Sequence, residues 1–93
     1  MYYTTKVIKT AEKTYYLDTP LYCLFEKEED YFVITNEMLD IIGTGESEES
    51  ARESFAIEFD YIFTRYNELP ENQLSERLLK IKTIINLLVR SVK

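Results

Sequence analysis

Apolar residues in the first 43 positions fall in short runs rich in Tyr, Phe, Val, Ile and Thr. Side chains of that kind pack well on a pleated surface, so the runs predict strands. Tyr3 to Thr10 ("YTTKVIKT") and Thr14 to Asp18 ("TYYLD") are two, joined by a turn at Ala11 to Lys13, and Pro20 is expected to interrupt the ladder after them. Leu21 to Phe25 and Tyr31 to Thr35 read as an antiparallel hairpin turned by the charged segment Glu26 to Asp30. Leu39 to Gly43 supplies a further run, after which Gly43 and Gly45 permit positive φ or a close backbone approach.

From Ser47 the period changes. Ala51, Phe55, Phe59, Ile62, Tyr66 and Leu69 recur at spacings of three and four, one face of a helix. Ser47 is placed to cap it, Glu48 and Glu49 suit the positive end of the helix dipole, and Pro70 closes it. A second helix is predicted from Leu74 to Val92, with Leu74, Leu78, Ile81, Ile85, Leu88 and Val92 on one face and Leu79, Ile84 and Leu87 widening it. That stripe is wider than one small sheet covers, so the second helix is expected to pack also on the first helix, on another copy of the chain or on a partner protein, and Leu79, Ile84, Ile85, Leu87 and Leu88 are the candidate partner-binding residues. Replacing Ile85 and Leu88 by Asp is expected to give monomers.

The expectation is one α+β domain over residues 1–93: a small antiparallel sheet of three or four strands in 1–45, a covering helix over 47–69, and a C-terminal amphipathic helix over 74–92. A chain of 93 residues buries a modest core, which a second copy or a partner would enlarge.

The formal net charge is −6, with Lys and Arg numbering 11 against 17 acids. Phosphate backbones are bound by clustered cations, so a nucleic-acid role is disfavoured and a basic protein is the better electrostatic match. Charge is uneven: Glu46 to Glu71 holds eight acidic residues against Arg52 and Arg65, while Arg77 to Lys93 holds five basic residues and no acid. No run approaches the roughly 18 apolar residues of a membrane span, and "MYYTTKVIKT" lacks the apolar stretch of a secretory signal, so a cytoplasmic protein is expected.

Candidate chemistry is sparse. There is no His, the commonest general base and metal ligand near neutral pH. "EKEED" and "ESEE" lack the alternating spacing and central Gly of a calcium loop and read as solvated surface. In "GTGESEE" the carboxylates of Glu46, Glu48 and Glu49 occupy the place an anion would take, so Gly43 and Gly45 read as turn geometry beside the Ser47 cap. Cys23, between Tyr22 and Leu24, reads as a small buried hydrophobe. The eight tyrosines lack the interleaved cations of a base-stacking sheet and read as core or interface. No catalytic, metal or cofactor residue is expected.

The stretch "FEKEEDYFVITNEMLDIIGTGESEESARESFAIEF" (25–59) resembles the HicB-like antitoxin family. Asp30, Tyr31 and Phe32 match its hairpin, and Gly43, Gly45, Glu46, Ser47, Glu49 and Ala51 match its Gly-x-Gly corner and following helix start. The resemblance implies a small sheet with a helix across one face, usually dimeric, that binds and blocks a small RNA-cleaving toxin and has no enzyme activity of its own. Many family members continue into DNA-binding helices, which are not visible here, nor is their last strand after the first helix, so the run Tyr3 to Thr10 is expected to fill that edge or the second helix to replace it. The expected function is a non-enzymatic protein-binding module, an antitoxin or solitary descendant of one. Its partner is a small basic toxin-like protein or the chain itself, as a homo-oligomer. The alternative is a nucleic-acid-linked regulator using the basic edge Arg77, Lys80, Lys82 and Arg90.

Overall fold

A computed structural model describes all residues from Met1 to Lys93. The fold is α+β, a five-stranded antiparallel sheet with two helices. In chain order the elements are β1 (Tyr2–Lys9), β2 (Thr14–Lys27), β3 (Phe32–Asn36), β4 (Ile41–Gly45), α1 (Glu48–Glu68), a 3₁₀ turn (Glu71–Gln73), α2 (Glu76–Leu88) and β5 (Val89–Val92).

Strand β2 organises the sheet. On one side it pairs with β1 along its length; on the other it pairs with β5 at Tyr15 to Leu17 and with β3 at Leu24 to Lys27. Pro20 therefore does not end the strand, contrary to the expectation of two separate runs. Between Thr5↔Leu21 and Val7↔Tyr16 the register shifts, so Pro20 falls in a bulge where its missing N–H breaks no ladder bond.

The hairpin of β2 and β3 forms as expected, and β3 pairs onward with β4. Strand β4 begins at Ile41 rather than Leu39. Asn36, buried at 4% exposure, explains the delay: its Oδ1 accepts from the Leu39 N–H at 2.8 Å and its Nδ2 donates to the Tyr22 carbonyl at 2.9 Å. This turn buries Leu39 and ends at Asp40, whose φ of 55° is left-handed. Short polar side chains tolerate that region better than most.

The second helix stops four residues before its expected end. The Leu88 to Val92 spacing fits a helix, yet Val89 is extended (φ −79°, ψ 117°) and β5 pairs with the start of β2. Lys93 and Thr14 exchange backbone hydrogen bonds of 2.7 and 2.8 Å. Buried backbone groups on β2 need partners, and the strand supplies them where more helix could not. At the other end the helix starts at Glu76, capped by Ser75, so Leu74 is buried just ahead of it.

The core lies between the sheet and the helices. Tyr15, Leu17, Leu21, Cys23, Phe25, Ile34 and Ile41 meet Ala51, Phe55, Phe59 and Ile62 of α1 and Ile81, Ile85 and Leu88 of α2. Tyr15 packs edge-on against Phe59 and Phe63 at centroid distances of 5.3 and 5.2 Å. No helix is long and apolar enough to cross a membrane.

Candidate functional site

The corner between β4 and α1 sets where the first helix lies. Neither glycine has positive φ; what they supply is close approach. A Cβ on Gly43 would stand 2.5 Å from the Phe55 backbone nitrogen and 2.7 Å from the Ala51 carbonyl oxygen, and one on Gly45 would stand 2.5 Å from the Ala51 nitrogen. The helix is thereby pressed onto β4, close enough for the Thr44 N–H to donate to Ser54 Oγ at 3.2 Å. Ser47 caps the helix through a reciprocal pair: the Ser50 N–H donates to Ser47 Oγ at 3.1 Å and the Ser47 N–H to Ser50 Oγ at 3.0 Å.

With its inner face held by the sheet, α1 turns an acidic outer face to solvent. Glu48, Glu49, Glu53, Glu58 and Glu68 are exposed there. In their midst stand Ile57 and Tyr61, 60% and 59% exposed and four residues apart, so they are neighbours on the helix surface. A shallow recess of about 350 Å³ opens beside them, lined also by Thr64, Arg65 and Glu68. An exposed apolar pair with a charged rim is the ordinary anatomy of a protein-binding spot. Sequence periodicity missed both residues because they fall outside the buried stripe.

The recess ends at Asp60, whose charge is used internally. Its carboxylate accepts from the Tyr15 hydroxyl and from Lys13 Nζ, the latter at 3.1 Å. Burial, and then the bond to Asp60, raises the Tyr15 phenol above its ordinary range; the same carboxylate raises Lys13. This cluster ties the start of β2 to α1. Burial pushes the Cys23 thiol up to about 11, which keeps it a protonated core group rather than a nucleophile.

The residues expected to bind a partner do not act together. Ile85, at 0% exposure, and Leu88, at 7%, are spent in the chain's own core, so Asp at either would unfold the monomer rather than split an oligomer. Leu79 and Ile84 are half-buried beside a shallow groove with Lys80 and Thr83, and only Leu87, 74% exposed, stands free. Leu87 apart, the wide stripe is accounted for by the helix packing on α1 as well as β2, one of the expected arrangements. The basic edge is also broken: Arg90 lies on β5, and Arg77 is bound to Asp40 at 2.6 Å.

A second exposed apolar surface lies on the far side of the sheet. Directly opposed residues build a row across four strands, Tyr2 to Leu24 to Thr35 to Ile42, flanked by Thr4 with Tyr22 and by Val7 with Tyr16. Neither helix covers it. No cluster of three or more His, Cys, Asp or Glu side chains is placed to hold a metal ion.

Compared with family models, with curated proteins and with solved structures, the chain finds no match in any of the three.

Proposed function

We propose that this chain is a non-enzymatic protein-binding module of HicB-like type, an antitoxin or a solitary descendant of one, acting in the cytoplasm on a small basic protein. The observation that carries the reading is the outer face of α1, where Ile57 and Tyr61 stand exposed beside the unpaired carboxylates of Glu49, Glu53 and Glu58, while Glu48, Asp60 and Glu68 are paired with Arg52, Lys13 and Arg65. Acidic side chains steer a basic partner to the surface, and the apolar pair supplies area to bury once it arrives. The matched positions Gly43, Gly45, Glu46, Ser47, Glu49 and Ala51 support the resemblance by forming one structural unit, the tight β4–α1 corner. A later strand is present as β5, but it follows the second helix and not the first, a departure from the family pattern.

The test is affinity capture from the native cells with the tagged chain and with Tyr61→Ser. A small basic protein is expected in stoichiometric yield with the unaltered chain. Tyr61→Ser should weaken its binding by about 30-fold, the 2 kcal/mol of an interfacial aromatic anchor. Absence of such a protein, or equal capture by the variant, would sink the reading.

A further inference from the structure

The uncovered face of the sheet breaks a rule that the covered face obeys. A sheet with one face in water normally alternates apolar inward and polar outward. Here the outward positions include Tyr2 (77% exposed), Tyr22 (66%), Ile42 (54%) and Val7 (41%), with Leu24 and Val33 half-buried among them. They are contiguous, because strand pairing sets Tyr2, Leu24, Thr35 and Ile42 side by side. We infer that this face is the surface on which two copies of the chain pair, sheet against sheet.

A second copy fits the face better than the basic partner does. The chain carries −6 overall, yet the centre of the outward face, from Tyr2 and Tyr22 to Leu24, Thr35 and Ile42, is uncharged: Glu26, opposite Val33, stands at one end, and Lys9, opposite Thr14, stands at the other with Asp18 and with Lys93, whose Nζ lies over the Tyr16 ring. A basic protein finds its carboxylates on α1, in the other layer. A neutral centre suits twofold pairing, in which each group near the axis meets its own kind and like charges would clash. With the axis across the strands, Glu26 of one copy approaches Lys9 of the other.

Size and repulsion both permit the arrangement. The molecule measures 41 × 27 × 22 Å, and its broad side is large enough to give the ~800 Å² per partner of a standard interface. Packed sheets sit about 10 Å apart, so the two acidic helices end on the outer sides, on the order of 30 Å from each other. That is several times the roughly 8 Å screening length at physiological salt. Edge-to-edge pairing is less suited: the free edge of β1 carries a bulge between Thr5 and Val7 and the charges of Lys6 and Lys9, devices that discourage strand addition.

The pairing belongs to the reading of the chain as a binding module but uses the opposite layer, so the two fail separately. Ile42 and Ile57 are comparably exposed in the single chain, one on the sheet face and one on α1. Sedimentation of the unaltered protein should show a dimer. A soluble paramagnetic agent should relax the Ile57 methyl signals and spare those of Ile42. Tyr22→Thr with Ile42→Thr keeps strand propensity and should give a folded monomer by circular dichroism. A monomer at all concentrations would overturn the inference, as would a dimer whose Ile42 methyls relax like those of Ile57, or a folded double variant that stays dimeric. Should the double variant not fold, the relaxation of the unaltered protein decides alone. Tyr61→Ser, which tests the partner site, should leave the dimer intact.

Discussion

On β2, Leu21, Cys23 and Phe25 point toward the helices and are 1%, 1% and 8% exposed, while Tyr22 and Leu24 between them point away and remain accessible. Both sets are apolar. What separates them is not hydrophobicity but supply: two helices are enough to cover one face of a five-stranded sheet and leave the other bare. The inner face therefore holds the fold together, and the outer face is free to hold something else. The same split recurs within α1, where Phe55 and Phe59 are buried and Ile57 is exposed.

Substitutions matched across that divide should separate its two sides. Phe59→Ala empties a fully buried aromatic site and should cost about 3–5 kcal/mol in urea unfolding. Tyr22→Thr, on the outer side, should cost within about 0.5 kcal/mol, measured dilute enough that dimer dissociation does not enter. Comparable losses would mean that the outer face also supports the single chain.

Adjacent residues of β4 sharpen the contrast. Gly43→Ala puts a methyl group against the Phe55 and Ala51 backbone and should destabilise by about 1–3 kcal/mol. Ile42→Thr, one residue away and facing outward, should leave unfolding nearly unchanged.

The inner face also carries the alkaline sensitivity. Tyr15 and Cys23 have pKa values raised on folding, so each contributes stability that is complete below its unfolded pKa and is lost as pH rises through its folded one. For Cys23 that window runs from 9.0 to about 11, and for Tyr15 it begins at 10.0. The urea midpoint should fall across this range, and Tyr15→Phe should flatten the fall. An unchanged slope in that variant would remove Tyr15 from the account.

The smallest loss expected on the inner side concerns the cap that starts α1. Ser47→Ala leaves the Ser50 N–H without its acceptor and should cost about 1 kcal/mol, seen as a lower thermal midpoint.

Much of this layout could be read from residue order. Ser47 and Pro70 bracket α1 because a capping hydroxyl and a proline act on their immediate neighbours, and the β2–β3 hairpin follows from two branched and aromatic runs around a charged turn. The glycine pair was legible as a backbone requirement, though not that the requirement was room for α1 rather than positive φ. Other features had no local signal. Asn36 reads as an ordinary turn residue until its two bonds are seen, and Ile57 and Tyr61 are conspicuous only once α1 has chosen its buried side.

The sequence by itself determined the class of the fold, the extent of the first helix and the acidic character of its surface, since propensity, capping and charge are properties of neighbours in the chain. The tertiary structure alone decided that β2 runs through Pro20, that Val89 to Val92 leave the helix to fill its open side, and that Ile85 and Leu88 belong to the core while Tyr22 and Ile42 stay bare. Each of these depends on which backbone groups and apolar faces find partners distant in sequence, and such partners exist only after the chain has folded.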